Sequence, residues 1–110
     1  MADRDGNVWI GRRRELVTIA HASARTLVTV ERIVDHSLVA DEATAAGVLP
    51  GIYVDAVAVA VRGALPMALA DHYERDEAAL AAYVAAAVTE AGFAAWLADW
   101  LADTRRAAAE

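Results

Sequence analysis

The residues able to do acid–base, nucleophilic or metal chemistry are few and scattered along this chain. Asp55 stands out first, because it heads the apolar run Ala56-Val57-Ala58-Val59-Ala60-Val61. A carboxylate in apolar surroundings is costly to bury unpaired. It must therefore meet solvent, a turn amide, an arginine such as Arg62 or a partner subunit, and a structural hydrogen-bonding role outweighs catalysis. Tyr53, two residues earlier, falls on the same face of a strand and is expected to share that network. The histidines His21, His36 and His72 are far apart, and none has another histidine four residues away. Asp35 adjoins His36 and Asp71 adjoins His72, but sequence neighbours on a helix do not face one metal. No metal site is expected.

Nucleophilic chemistry has as little support. Ser23 and Ser37 are the only serines, and neither lies in a Gly-x-Ser-x-Gly elbow. Ser37 follows His36, yet adjacency in sequence does not make a nucleophile–base pair. There is no cysteine, hence no thiol nucleophile, disulfide or thiolate metal site. No Gly-x-Gly-x-x-Gly or Walker pattern occurs to cradle a phosphate. The residues thus nominate no catalytic side chain and no cofactor-binding side chain.

Charge narrows the partners. Sixteen acidic residues oppose ten basic ones, all arginine, for a net charge of −6. Nucleic-acid binding wants a net basic surface, so that class is excluded as a general role. Arg12-Arg13-Arg14 is the one basic cluster; it has the chemistry to meet a phosphate, although short runs of this kind are ordinarily solvated turns or interface faces. The apolar fraction is 58%, much of it alanine. No apolar stretch is long enough for a membrane-spanning helix, and Met1-Ala2-Asp3-Arg4-Asp5-Gly6 has no signal-peptide core. A cytoplasmic location is the expectation.

At 110 residues the chain is one domain at most. Val8-Trp9-Ile10 reads as a strand entered from the Asp5-Gly6-Asn7 turn. A short helix is expected between Glu15 and Ala24, and Thr26–Val30 is a second strand that Glu31–Val34 prolongs. Residues 35–47 read as loop or short helix. The pattern predicts a third strand over Ile52–Val61, buried on both faces inside an α/β sheet and ended by Gly63 and Pro66. The last third is helical. Asp76 is the expected N-cap of a helix with Leu80, Tyr83, Val84, Ala87 and Val88 on one face. Gly92 is expected to break it, before a second helix with a stripe of Phe93, Trp96, Leu97, Trp100 and Leu101. Core or subunit packing explains that stripe better than a cofactor box does. Arg105 and Arg106 suit the negative end of the helix, and the tail at Ala107-Ala108-Ala109 is expected to fray.

Four ordered stretches resemble a known family: Ala2–Val8, Ala24–Val34, Pro50–Pro66 and Tyr73–Tyr83. Together they are similar to the C-terminal portion of the alpha subunit of the family I CoA-transferases. The resemblance implies an α/β fold with a mostly parallel sheet, flanking helices and a C-terminal helical pair, so that residues 1–110 form a single partial domain. It implies a heteromer, in which an N-terminal part of the alpha subunit, together with a B (beta) subunit, completes the enzyme. It also implies transfer of CoA from an acyl-CoA to a carboxylic acid, the CoA thioester being substrate rather than a permanently bound cofactor. The family's attacking glutamate belongs to the B subunit, and its glycine-rich loop to the N-terminal part of the alpha subunit. None of Glu15, Glu31, Glu42, Glu74, Glu77, Glu90 or Glu110 sits in a matching context, so no catalytic residue carries over. Leu65 departs from the pattern, which often has histidine there. Two alternatives remain: a non-catalytic interaction module using the Phe93/Trp96/Trp100 face, and part of a hydrolase of the same fold acting on a CoA-linked substrate.

Overall fold

Asp3 and the turn that follows it start the fold. The computed structural model describes residues 1–107, with side chains through Asp103. Strands β1 (Ala2–Asp3) and β2 (Val8–Trp9) run antiparallel, joined by a turn in which Gly6 takes φ +82°, a conformation glycine adopts without penalty. The Asp3 carboxylate is buried and accepts four hydrogen bonds. The backbone N–H groups of Asp5 and Asn7 donate to Oδ1 at 3.0 Å each, while the Asn7 side-chain amide and the Leu38 N–H donate to Oδ2, also at 3.0 Å. Burial alone would push this carboxyl up, but the bonds from Asn7, Leu38 and Asp5 outweigh it and hold it below the ordinary aspartate value.

The chain separates into two compact units, Met1–Gly63 and Ala64–Glu110. In the first, β4 (Ile33–Val34) joins β1 in parallel and β5 (Val48–Leu49) joins β2 antiparallel, giving a mixed sheet ordered β4-β1-β2-β5. Helix α1 (Glu15–Ala22) follows β2, and a single turn, α2 (Glu42–Ala45), is capped by Asp41 accepting from the Ala43 N–H at 2.9 Å. A second sheet consists of β3 (Leu27–Val30) and β6 (Ala56–Val59), parallel with Leu27 opposite Ala56 and Val30 opposite Val59. Ala2, Val8, Ala20, Val30 and Leu49 form the core, with Val28, Tyr53, Val54 and Val57 packed on it. Leu38 is completely buried.

The mixed α/β class agrees with the sequence reading, and several boundaries do not. The long strand expected over Ile52–Val61 divides into a 3-10 turn, Gly51–Tyr53, and the four residues of β6. The turn forms because Gly51 lies against the first loop: a Cβ there would come within 2.5 Å of the Asp5 carbonyl oxygen. Tyr53 is consequently off the strand. β6 is also not buried on both faces. Val57 turns toward the core, while Ala56 and Ala58 are exposed, as is Leu27 at 76% on the same outer face of β3. Glu31–Val34 does not prolong β3. The chain leaves that strand at Glu31, whose carboxylate is engaged elsewhere, and Arg32 passes its carbonyl to the Ala2 N–H at 3.1 Å to enter the other sheet.

In the second unit, Asp76 caps α3 (Glu77–Ala86) as expected, accepting from the Ala79 N–H at 3.0 Å. Gly92 does not break the helices. It lies inside α4 (Glu90–Ala107), and the interruption falls at Ala87–Thr89, where Thr89 Oγ1 accepts the Gly92 N–H at 3.1 Å and so caps the new helix. Tyr83 of α3 meets Phe93 and Trp96 of α4 edge-on, and Trp96 stacks on Trp100 at 5.2 Å. Of the rest of the expected stripe, Leu80 is half-buried, whereas Val84 is 64% and Val88, just past α3, 80% exposed. Arg105 and Arg106 lie outside the described side chains, and Ala108 and Ala109 outside the described residues. Among the described residues no helix is long and apolar enough to cross a membrane.

Two measurements test this account. Gly51→Ala should lower stability by about 1–3 kcal/mol in urea unfolding, the cost of forcing extra volume into a tight contact. Because the folded Asp3 carboxyl titrates below its unfolded value, its contribution is complete above about pH 4 and disappears as pH falls through the folded value. Asp3→Asn should therefore cost about 1–3 kcal/mol at pH 7 and flatten the loss of stability on acidification that the unsubstituted chain shows.

Candidate functional site

Asp55 lies where the sequence marks it, at the entrance of β6, and its bonds go to backbone. Its Oδ2 accepts the Thr26 N–H at 2.7 Å, while its own N–H donates to the Thr26 carbonyl at 2.9 Å. The pair closes the head of the β3–β6 ladder. At the far end Glu31 does the same work. Its two oxygens accept the N–H groups of Arg62 at 2.7 Å and Gly63 at 3.2 Å, in a turn where Arg62 holds φ +54°. A two-stranded parallel pair has little intrinsic stability, and here a carboxylate brackets each end. Sequence reasoning singled out Asp55 and offered a turn amide among its partners; it placed no weight on Glu31.

A cavity of about 430 Å³ opens beside this ladder, between the loop Asp3–Gly6 and the segment Val54–Val57. Arg4, Asp5 and Asp55 supply its polar wall, with Asp3 at the back. Arg4 pairs with Asp35 at 2.6 Å, both side chains being largely exposed, so the pair adds little stability. The cavity contains no histidine, serine or cysteine; of its three carboxylates, Asp3 and Asp55 are committed to backbone amides, and Asp5 stands at the wall without such a bond. Such a wall can position a neighbouring chain or substrate through Arg4 and the three carboxylates.

The remaining candidates are dispersed. His21 meets the Tyr53 ring edge-on at 5.3 Å, which takes Tyr53 away from the network with Asp55 that a strand would have given. His72 lies 3.1 Å from the Ala70 carbonyl through Nδ1, in a tight turn where Asp71 adopts φ +63°. His36 is exposed. Ser23 is occupied in donating to the Ile19 carbonyl at 2.7 Å at the end of α1. Among the described residues no three histidine or carboxylate groups converge as metal ligands would. The residue missed by sequence reasoning is Asp3. Its signal was present in Asp3-x-Asp5-Gly6-Asn7, since aspartate ahead of a Gly-Asn turn commonly folds its carboxylate back on the next amides.

No family model matches the sequence, and no curated protein does. Among solved structures, a crystal structure of a variant of the decarboxylase AibA/AibB is similar to this chain, with 35% sequence identity and a TM-score of 0.73. The likeness covers 92% of this chain and 36% of that one, so the chain spans about a third of the length of the structure it matches. At that identity and overlap the two share a mixed α/β fold.

Proposed function

We propose that this chain acts as the C-terminal part of a CoA-transferase-like alpha subunit, working in an enzyme completed by the N-terminal part of the same subunit together with a B subunit. The observation that carries the reading is the extent of the likeness: nearly the whole chain superposes on about a third of a chain from a two-component enzyme. The exposed ladder fits it. Parallel sheets are ordinarily covered on both faces, whereas Leu27 and Ala56 lie open and, among the described residues, β3 pairs only with β6. In this reading the chain contributes positioned backbone, and the reacting groups come from the other parts. In the B subunit, a carboxylate attacks the acyl-CoA thioester and releases CoA thiolate, leaving a mixed anhydride. The thiolate then attacks the enzyme's own carbonyl in that anhydride, freeing the first acid and leaving CoA on the enzyme for transfer to the second acid.

A second reading has its own support, because the similar structure is named a decarboxylase. There the completed enzyme removes CO2 from a free carboxylate on the acyl chain of an acyl-CoA, a proton replacing it on carbon, instead of exchanging the acid.

Co-expression with an N-terminal alpha-subunit segment and a B subunit, followed by two assays on the purified complex, separates these. Exchange of labelled carboxylate into acyl-CoA, at least about a hundredfold above the lone chain, is the expected result. Release of CO2 without exchange favours the second reading. A folded, stoichiometric complex with neither activity overturns both, leaving an interaction module.

A further inference from the structure

The loop that reverses β1 into β2 contains Asp5-Gly6, and no other aspartate of the chain is followed by glycine. Such a pair can react with itself. The nitrogen of the next peptide lies within reach of the aspartate's carboxyl carbon, and glycine has no side chain to obstruct the approach or restrict the backbone. The surroundings here leave the pair free to do so. Asp5 is exposed, and among the described residues its carboxylate accepts no hydrogen bond. By contrast Asp3, Asp41, Asp55 and Asp76 all hold backbone N–H groups. The Gly6 N–H, which carries the attacking nitrogen, donates to the Asp3 carbonyl at 3.2 Å, the long end of the hydrogen-bond range. Gly6 is also uncrowded: a Cβ built on it would meet nothing nearer than the Gly51 Cα at 3.8 Å.

We propose that Asp5–Gly6 is a self-modification site, where the backbone isomerises from aspartate to isoaspartate and so loosens the Asp3 anchor. The Gly6 nitrogen attacks the carbon of the protonated Asp5 carboxyl and forms a C–N bond. Its proton leaves with the carboxyl hydroxyl as water, closing a five-membered succinimide. Water then adds to one of the two ring carbonyls and breaks that carbonyl's C–N bond. Opening at the side-chain carbonyl restores aspartate, and opening at the main-chain carbonyl leaves the peptide running through Cβ and Cγ. The product has one more methylene in its backbone. This turn fits a fixed backbone length: the Asp3 N–H donates across it to the Asn7 carbonyl at 2.9 Å, and the Asp5 and Asn7 N–H groups both reach the Asp3 carboxylate. The extra methylene shifts these donors relative to one another. It also leaves a new carboxylate where the Asp5 carbonyl packs against Gly51. Every residue involved lies in the first unit, so the site does not depend on the CoA-transferase reading.

The purified chain should be aged at 37 °C and pH 6 and assayed for isoaspartate. The assay is methyl transfer from labelled S-adenosylmethionine by an isoaspartyl methyltransferase, with peptide mass spectrometry to locate the label. Label at residue 5 is expected to grow with time and to exceed that at any other aspartate at least about tenfold, since glycine follows only here. The aged sample should develop a second urea transition, its midpoint roughly 0.5–1 M lower and its amplitude tracking the labelled fraction. Asp5→Asn reaches the same succinimide by losing ammonia and should be labelled faster. Asp5→Glu keeps the carboxylate but needs a six-membered ring, and should stay unlabelled at residue 5. Label in the Asp5→Asn chain alone, label in neither chain, label undiminished by Asp5→Glu, or a labelled chain with an unchanged urea midpoint would each overturn the proposal.

Discussion

The buried carboxylate of Asp3 is the constraint on which the first unit rests. The cost of taking an ionised group out of water must be offset by hydrogen bonds, and Asp3 receives four. Those donors come from the loop that reverses β1 into β2 and from Leu38, 35 residues along the chain. One side chain thus fixes the first hairpin, the approach of the loop after β4 and the seat of the only completely buried large residue described. The arrangement propagates. Asn7, oriented by Asp3, offers its side-chain oxygen to the Gly51 N–H at 2.9 Å, so the turn before β6 is registered against the same loop.

From that anchor the β3–β6 ladder is placed rather than self-supporting. Its inner face, Val28, Val30 and Val57, completes the core. Its ends are closed by side chains, Asp55 on Thr26 and Glu31 on the Arg62–Gly63 turn. Acidic residues that suggest catalysis in a list of residue types are here engaged by backbone amides.

Local signals in the sequence were legible where one residue satisfies one neighbour. Asp76 as a cap, the Gly6 turn and the grouping of Phe93, Trp96 and Trp100 on one helix face all follow from spacing and residue chemistry. Signals that depend on distant contacts were not. Nothing near Ile52 says that Gly51 will abut the Asp5 carbonyl, and without that contact the run through Val61 looks like one strand. The same holds for Glu31, whose role requires a turn 31 residues away. Gly92 misled in a different way. Helix-breaking propensity is a weak prior, and a threonine three residues earlier supplied the real boundary. Of the candidate site, Asp55 was visible because a charge in an apolar run is conspicuous; Asp3 was hidden because it sits in polar company.

The open outer edges of β3 and β6 carry a consequence for how the chain behaves in a cell. An unpaired strand edge rich in valine and leucine is a template for any extended chain, including another copy of itself. Neither strand has a lysine or proline to discourage such pairing. Self-association, and the assembly proposed above, would use the same hydrogen-bonding groups.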